Sequence, residues 1–462
     1  MTASIRRHPS SYRDPAGFIF EHEGVIYRQV NPIYQSHYDK LMQSGLYQRL
    51  VDAQWLLPHV EVEWETNTTA YKILKPTPLP FISYPHEWCF SQLKEAARLT
   101  LRIQSLSLEY GMSLKDATPF NIQFLNGRPV FIDTLSWEIL DEQKPWVAYR
   151  QFCETFLAPL ALGHYQDQPI ARTYLAWPEG IPLKLASRLL PFKSRLNLDL
   201  ALHLHLHARI SSPTGSQPSR PIQYTLQKRR QLIASLTAAI ERCGRSAKRS
   251  GWTEYYEEAA KRNDYLTDKN NQIINWLKEI GPVVRALDAG CNTGHFSEAL
   301  RAHAKLVVAI DGDEASVESL VDRMRTTERS GEADHELLPL VQDLTELSSD
   351  KGLLNAERQS FLSRGPFDLV LGLALLHQLL IARQVPMQAC ASLFAKLTDK
   401  TLVIEFVPMS DPWAATLLRA KEGQSHPYDQ AAYETTFGNH FRIRQQVALS
   451  GSERILYWLE KL

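Results

Sequence analysis

An excess of charge of either sign is missing from this sequence: 51 lysines and arginines balance 51 aspartates and glutamates over 462 residues. With no global field to draw it to nucleic acid or an anionic membrane, the chain must recognise its partners locally. Cysteine is also scarce. Cys89, Cys153, Cys243, Cys291 and Cys390 are odd in number, far apart and never in a C-x-x-C pair, which suits a reducing cytoplasm better than a disulfide framework. Long apolar runs are lacking too. The opening MTASIRRHPSSYRDP has no signal-peptide core, and the longest apolar run, around Leu369 to Ile381, is broken by His377 and Gln378. A cytoplasmic protein that does not insert into membranes is expected. Before Gly111 the only glycines are Gly17, Gly24 and Gly45, so the first hundred residues hold no phosphate-covering G-x-G-x-x-G loop.

The chain exceeds one ordinary domain, and a hydrophobic content of 44% is enough for two cores. Ser211 to Pro221, SSPTGSQPSRP, marks a boundary. Just beyond it, Tyr224 to Lys248 reads as a basic helix with Lys228, Arg229, Arg230, Arg242 and Arg245. A solvated linker face fits it better than an RNA surface, because no aromatic residues interleave the charges. The expected division is 1–210, a linker with the basic helix over 211–250, and 251–462.

In the second half, VVRALDAGCNTGHFSEAL (Val283 to Leu300) has the form of a buried strand, a glycine turn and a helix start. Asp288, Gly290, Asn292 and Gly294 mark the turn, where glycines let the backbone approach a ligand and Asn tolerates left-handed geometry. A second strand, Lys305 to Ile310, ends in Asp311, about twenty residues past the first glycine, where a carboxylate can bind ribose hydroxyls. A third, Leu337 to Val341, ends in Gln342 and Asp343. Further strands are expected at Phe367 to Leu373 and Thr401 to Val407, with a closing pair at Phe441 to Val447 and Arg454 to Trp458. The spacing D-x-G-x-x-x-G resembles motif I of class I S-adenosylmethionine (SAM) methyltransferases. That resemblance implies an α/β, Rossmann-like seven-stranded domain, with Gly290 and Gly294 against the methionine part and ribose, Asp311 on the ribose and Asp343 on the adenine. A nicotinamide-binding domain is the main rival, and the glycine spacing with the following Gln342-Asp343 argues against it. Trp252, Tyr255, Tyr256 and Tyr265, with Lys269, form an aromatic segment that either covers the cofactor or packs. His377, four residues past the fourth strand, is the nearest general base for a hydroxyl acceptor. Glu405, Tyr428, Asp429 and Tyr433 are further candidates for the pocket.

The first half holds LKDATPFN (Leu114 to Asn121) and, twelve residues on, Asp133 in VFIDTLS. This spacing resembles a kinase catalytic loop. The resemblance implies an α+β kinase-like domain, degenerate because the glycine loop is absent and Leu114 stands where a histidine is usual. In such a site Asp116 would be the base and Asn121 and Asp133 the magnesium ligands, making a candidate ATP and magnesium site. Arg28, Lys72 or Lys75 could replace the strand lysine. A hairpin is expected through Asn126-Gly127, after a helix from Cys89 to Tyr110. His203, His205 and His207 alternate with leucines and fit a helical lobe better than a metal site. From LKDATPFNIQF, PVFIDTLSW, WVAYRQF and DAGCNTG, the chain resembles a bacterial family of SAM methyltransferases with an amino-terminal extension, to which the rhizobial host-specificity nodulation methyltransferase belongs. Methyl transfer to an unidentified acceptor is the expected activity, a small molecule or glycan being favoured over protein or RNA. The alternatives are a bifunctional phosphotransferase and methyltransferase, or an RNA-directed enzyme.

Overall fold

The computed structural model describes residues 6–64, 69–166, 169–210, 224–245, 263–327, 335–421 and 428–462. The expected linker at 211–221 and Trp252, Tyr255 and Tyr256 lie outside them. Two compact units are present: Met1–Ala247 with Lys351–Arg358, and Lys248–Asp350 with Gln359–Leu462.

The first unit opens on a five-stranded antiparallel sheet. Its strands are β1 (Arg6–Arg7), β2 (Gly17–His22), β3 (Val25–Val30), β4 (His59–Val62) and β5 (Lys72–Pro76), in the order β1-β2-β3-β5-β4. The helix Phe90–Glu109 buries Phe90, Leu93, Ala97, Thr100, Leu101, Gln104 and Leu108 on an apolar stripe of helical period. After it come β6 (Met112–Leu114), β7 (Ile122–Leu125), β8 (Arg128–Phe131) and β9 (Trp137–Ile139), with β6 paired to β9 and β7 to β8. Asn126 and Gly127, at φ 50° and 70°, make the tight turn between β7 and β8 that the sequence predicts.

The basic helix, Leu226–Arg242, is packed into this unit and does not form a free linker. Arg229 is buried, and its guanidinium donates to the carbonyls of Tyr224, Asp141 and Lys144. Arg242 pairs with Asp199, while Lys94 donates to the carbonyls of Glu241 and Cys243. These cations satisfy internal acceptors, a use that charge counting along the sequence does not reveal. The histidine tract is also internal: His203 bonds Tyr149 Oη (2.8 Å) and Ser235 Oγ (2.9 Å), and His205 bonds Ser187 Oγ (2.7 Å) and Ser194 Oγ (2.9 Å).

The second unit is a seven-stranded sheet of β10 (Val283–Ala289), β11 (Ala304–Asp311), β12 (Glu336–Val341), β13 (Phe367–Gly372), β14 (Thr398–Phe406), β15 (Phe441–Ala448) and β16 (Ile455–Lys461). The order is β12-β11-β10-β13-β14-β16-β15, and β16 runs opposite to the other six strands. Apolar runs form β10 to β14 because helices cover both faces of a parallel sheet. Ala286, Val307, Ala309, Leu369, Leu371 and Val403 pack there with Trp276, Leu277, Phe296 and Leu300. The chain goes from β10 to β11 on one side and later to β13 on the other. Strand order therefore reverses at β10, which opens a crevice at the carboxyl ends of β10 and β13.

Candidate cofactor site

At that crevice lies a cavity of about 330 Å³, lined among others by Lys269, Gly290, Asn292, Asp311, Gly312, Asp343, Gln378 and Arg383. Of the glycine turn, Gly290 and Asn292 line it, whereas Gly294 does not. Gly290 and Cys291 donate their N–H groups to the Ile310 carbonyl at 2.9 and 3.0 Å, which ties the turn to the end of β11. Gly290, Asn292 and Gly294 all have left-handed backbone, at φ 75°, 50° and 78°. A Cβ at Gly294 would stand 2.5 Å from Leu320 Cδ1, so helix packing as well as backbone geometry demands glycine there.

Asp311 sits where the sequence predicts, at the carboxyl end of β11. Its Oδ2 accepts the Asn292 N–H and its Oδ1 the Asp313 N–H, both at 2.8 Å. Each oxygen thus keeps an accepting lone pair for a ligand hydroxyl. Burial pushes this carboxyl up to about 6. Asp343, at the end of β12, pairs with Arg383 (2.8 Å) and accepts from Thr345 N (2.9 Å) and Oγ1 (2.6 Å). Asp288 is buried, also raised to about 6 by desolvation, and accepts from Ser297 Oγ at 2.6 Å. It holds the turn to the following helix and does not line the cavity.

Beside the cavity runs a buried ionic chain. Lys269 Nζ lies 2.5 Å from Glu405 Oε2, and Glu405 also accepts from Tyr265 Oη, from Arg454 Nη1 (3.4 Å) and from the Ala374 N–H (2.8 Å). Arg454 forks onto Asp411 at 2.9 and 3.1 Å. Burial alone would raise the Glu405 carboxyl, but Lys269 and Arg454 hold it at about 2. Ala374 lines the cavity at φ 50°, so Glu405 pins a strained turn of the wall.

His377, the expected base, is 2% exposed and absent from the cavity lining, and burial lowers its imidazole to about 4. The next residue, Gln378, lines the cavity instead. Tyr428 donates to the Val407 carbonyl, Tyr433 is fully buried, and Asp429 caps the helix Gln430–Phe437, so all three have structural work. Sequence reasoning missed Gln378 and Arg383, whose place depends on the turn after β13 and on a contact 40 positions away.

In the first unit the three residues of the candidate ATP and magnesium site do converge. Asn121 Nδ2 donates to Asp116 Oδ2 (3.1 Å) and Ser136 Oγ (3.2 Å), and Ser136 Oγ donates to Asp133 Oδ2 (2.6 Å). Gln151 holds the other Asp116 oxygen at 2.7 Å. Burial, and next the nearby Asp133, raise the Asp116 carboxyl. Arg28 of β3, not Lys72 or Lys75, is the cation at this cluster, and it pairs with Asp133 itself. Lys72 pairs with Glu61. Among the described residues, no group of three His, Cys, Asp or Glu is placed to hold a metal ion, and no helix is long and apolar enough to cross a membrane.

No family model matches the chain. Among solved structures, it is similar to a magnesium protoporphyrin IX methyltransferase (ChlM) from Synechocystis PCC 6803 with bound SAH, at 18% identity, TM-score 0.32, 43% of this chain and 86% of that one. It is similar also to the N-methyltransferase NodS from Bradyrhizobium japonicum WM9, at 17% identity, TM-score 0.30, 42% of this chain and 96% of that one. A curated relative, the nodulation protein NoeA of Rhizobium meliloti (strain 1021), is 30% identical over 467 aligned positions that cover 98% of this chain and 96% of the relative. Identity at that level over nearly the full length of both proteins places this chain in the NoeA family of nodulation proteins.

Proposed function

We propose that the chain is a SAM-dependent methyltransferase whose cofactor lies in the cavity at the carboxyl ends of β10 and β13. The observation that carries this reading is the combination of a left-handed glycine turn after β10 and a carboxylate at the end of β11, facing one cavity at the point where strand order reverses. The residues present fit such a ligand. Asp311 retains accepting capacity for two ribose hydroxyls, Gly290 and Asn292 offer an approachable backbone, and Asp343 can accept from an exocyclic amine.

SAM supplies a sulfonium methyl, which is transferred by in-line displacement. The chain therefore needs no nucleophile of its own, and its contribution is alignment and exclusion of water. Glu405 fixes the wall at Ala374, and Lys269 presents a cation at the cavity edge whose charge Glu405 balances. His377 is too enclosed to exchange protons with an acceptor in this geometry. A small-molecule or glycan acceptor fits better than RNA, since Arg229 and Arg242 of the basic helix are committed to internal acceptors.

For the first unit we infer a kinase-like fold kept for acceptor recruitment without phosphate transfer. The support is the Asp116–Asn121–Ser136–Asp133 set together with the Arg28 pair that neutralises Asp133. Calorimetric titration of SAM into the full chain tests the main reading: saturable binding is expected, lost in Asp311→Ala and kept in Asp133→Ala. Absence of binding by the parent protein would sink it.

A further inference from the structure

One face of the first unit displays apolar side chains in a basic frame. Phe192, Leu196 and Leu198 are 73, 75 and 81% exposed, and Leu189, Leu202 and Leu206 are 42, 47 and 44% exposed. Leu198, Leu202 and Leu206 recur every four residues along the continuous helical run 198–210, which keeps them near one side. From Ile181 to Leu198 the chain carries Lys184, Arg188, Lys193 and Arg195, all exposed, and no carboxylate. The next acid, Asp199, is engaged by Ser235 and Arg242.

These side chains are held out by a fixed scaffold. Ser194, in the middle of the turn Phe192–Leu196, is fully buried and bonds His205 Nε2 at 2.9 Å and the Pro191 carbonyl at 2.7 Å. His205 Nδ1 bonds Ser187 of the helix Leu183–Leu189 at 2.7 Å. Leu200 and Leu204 fill the inner side of the same run. The helical run is therefore two-faced, with one set of leucines in the core and the other in solvent.

We propose that this face binds the surface of an anionic lipid bilayer, with Phe192, Leu196 and Leu198 entering the headgroup boundary and Arg188, Lys193 and Arg195 meeting lipid phosphates. Apolar tips flanked only by cations suit an anionic interface. A face that pairs with a second copy of itself would bring like charges together. The chain as a whole carries no net charge, so attraction to an anionic surface has to come from a local patch such as this one.

Sedimentation of the full-length protein with vesicles tests this, using phosphatidylcholine alone and phosphatidylcholine mixed with phosphatidylglycerol. Binding is expected to the mixed vesicles, and it should weaken with salt. Phe192→Ser with Leu196→Ser, and separately Lys193→Glu with Arg195→Glu, should each lower the partition constant about tenfold or more. The charge-reversed pair changes exposed side chains whose ring contacts are with Tyr165 and Phe192 and buries no new group, so its result stands even if the serine pair folds poorly. A parent protein that stays in solution with both vesicle types overturns the proposal, as does a charge-reversed variant that binds like the parent. A parent dimer that the serine pair converts to monomer also overturns it and assigns the face to a second copy.

Discussion

Arg28 Nη2 stands 2.6 Å from Asp133 Oδ1, with both side chains largely buried. Asp133 Oδ1 accepts the Leu135 N–H as well, and its Oδ2 accepts the Ser136 hydroxyl. Magnesium at this carboxylate would have to compete with a guanidinium that already balances its charge and occupies Oδ1. Titration of ATP with magnesium into the full chain should therefore give no saturable heat. Heat that disappears in Asp133→Ala would reverse the conclusion. Removing the cation by Arg28→Ala strands a partly buried carboxylate and should cost about 2–3 kcal/mol in urea unfolding, since breaking one side of such a pair exposes its desolvation penalty.

The pH profile of cofactor binding follows from Asp311. Its folded pKa of about 6 lies above the ordinary 3.8, so between those values the folded state holds a proton that the unfolded chain has released. Stability without ligand should fall by about 2–3 kcal/mol as pH rises through that window, with Asp288 acting in the same direction. Ribose hydroxyls donate to the ionised form, so SAM affinity should move the opposite way and weaken by up to about tenfold per pH unit below 6. Calorimetry between pH 5 and 8 checks this, and Asp311→Asn should flatten the curve. A parent profile already flat across that range removes Asp311 from the site.

Gly294→Ala should be more harmful than an ordinary glycine replacement. Its φ of 78° disfavours a side chain and its Cβ would press on Leu320 and Arg323. A loss of about 2–4 kcal/mol is expected from strain and overpacking together, read as a fall in midpoint temperature. A midpoint within a degree of the parent's would mean that the turn relaxes freely.

Glu405→Gln removes the charge that balances Lys269 and Arg454 while keeping an acceptor for Ala374. The expected cost is about 3–5 kcal/mol, because two buried cations lose their shared partner. Lys269→Met in the same chain should restore part of that loss, and the two effects should be strongly non-additive in a double-mutant cycle. Simple additivity would show that the two side chains are not coupled.

Much of the second unit was readable in advance, since a parallel sheet covered on both faces writes its strands as continuous apolar runs. The seven strands lie where the runs of Val283, Lys305, Leu337, Phe367, Thr401, Phe441 and Arg454 place them. The places of Gly290 in the turn after β10 and of Asp311 at the end of β11 follow from local spacing, which a sequence carries directly. His377 was chosen on position alone. Which of His377 and Gln378 faces the cavity depends on a π-helical turn that begins at Gln378, and no sequence period encodes it. In the basic helix Lys228 and Arg230 do face solvent, but Arg229 is buried on carbonyls some 85 positions away, and backbone acceptors have no signature in composition.

The sheet is not completed in the order in which its strands are synthesised. β15 precedes β16 in the chain yet lies outside it, and β16 occupies the place beside β14. On the ribosome, the ladder groups of β14 and β15 that face this gap have no mate until residues 455–461 emerge, and Arg454 arrives with them to meet Glu405 and Asp411. A nascent chain stalled before that point would leave the carboxylates of Glu405 and Asp411 without the arginine they share, and two open strand edges competent for wrong pairing.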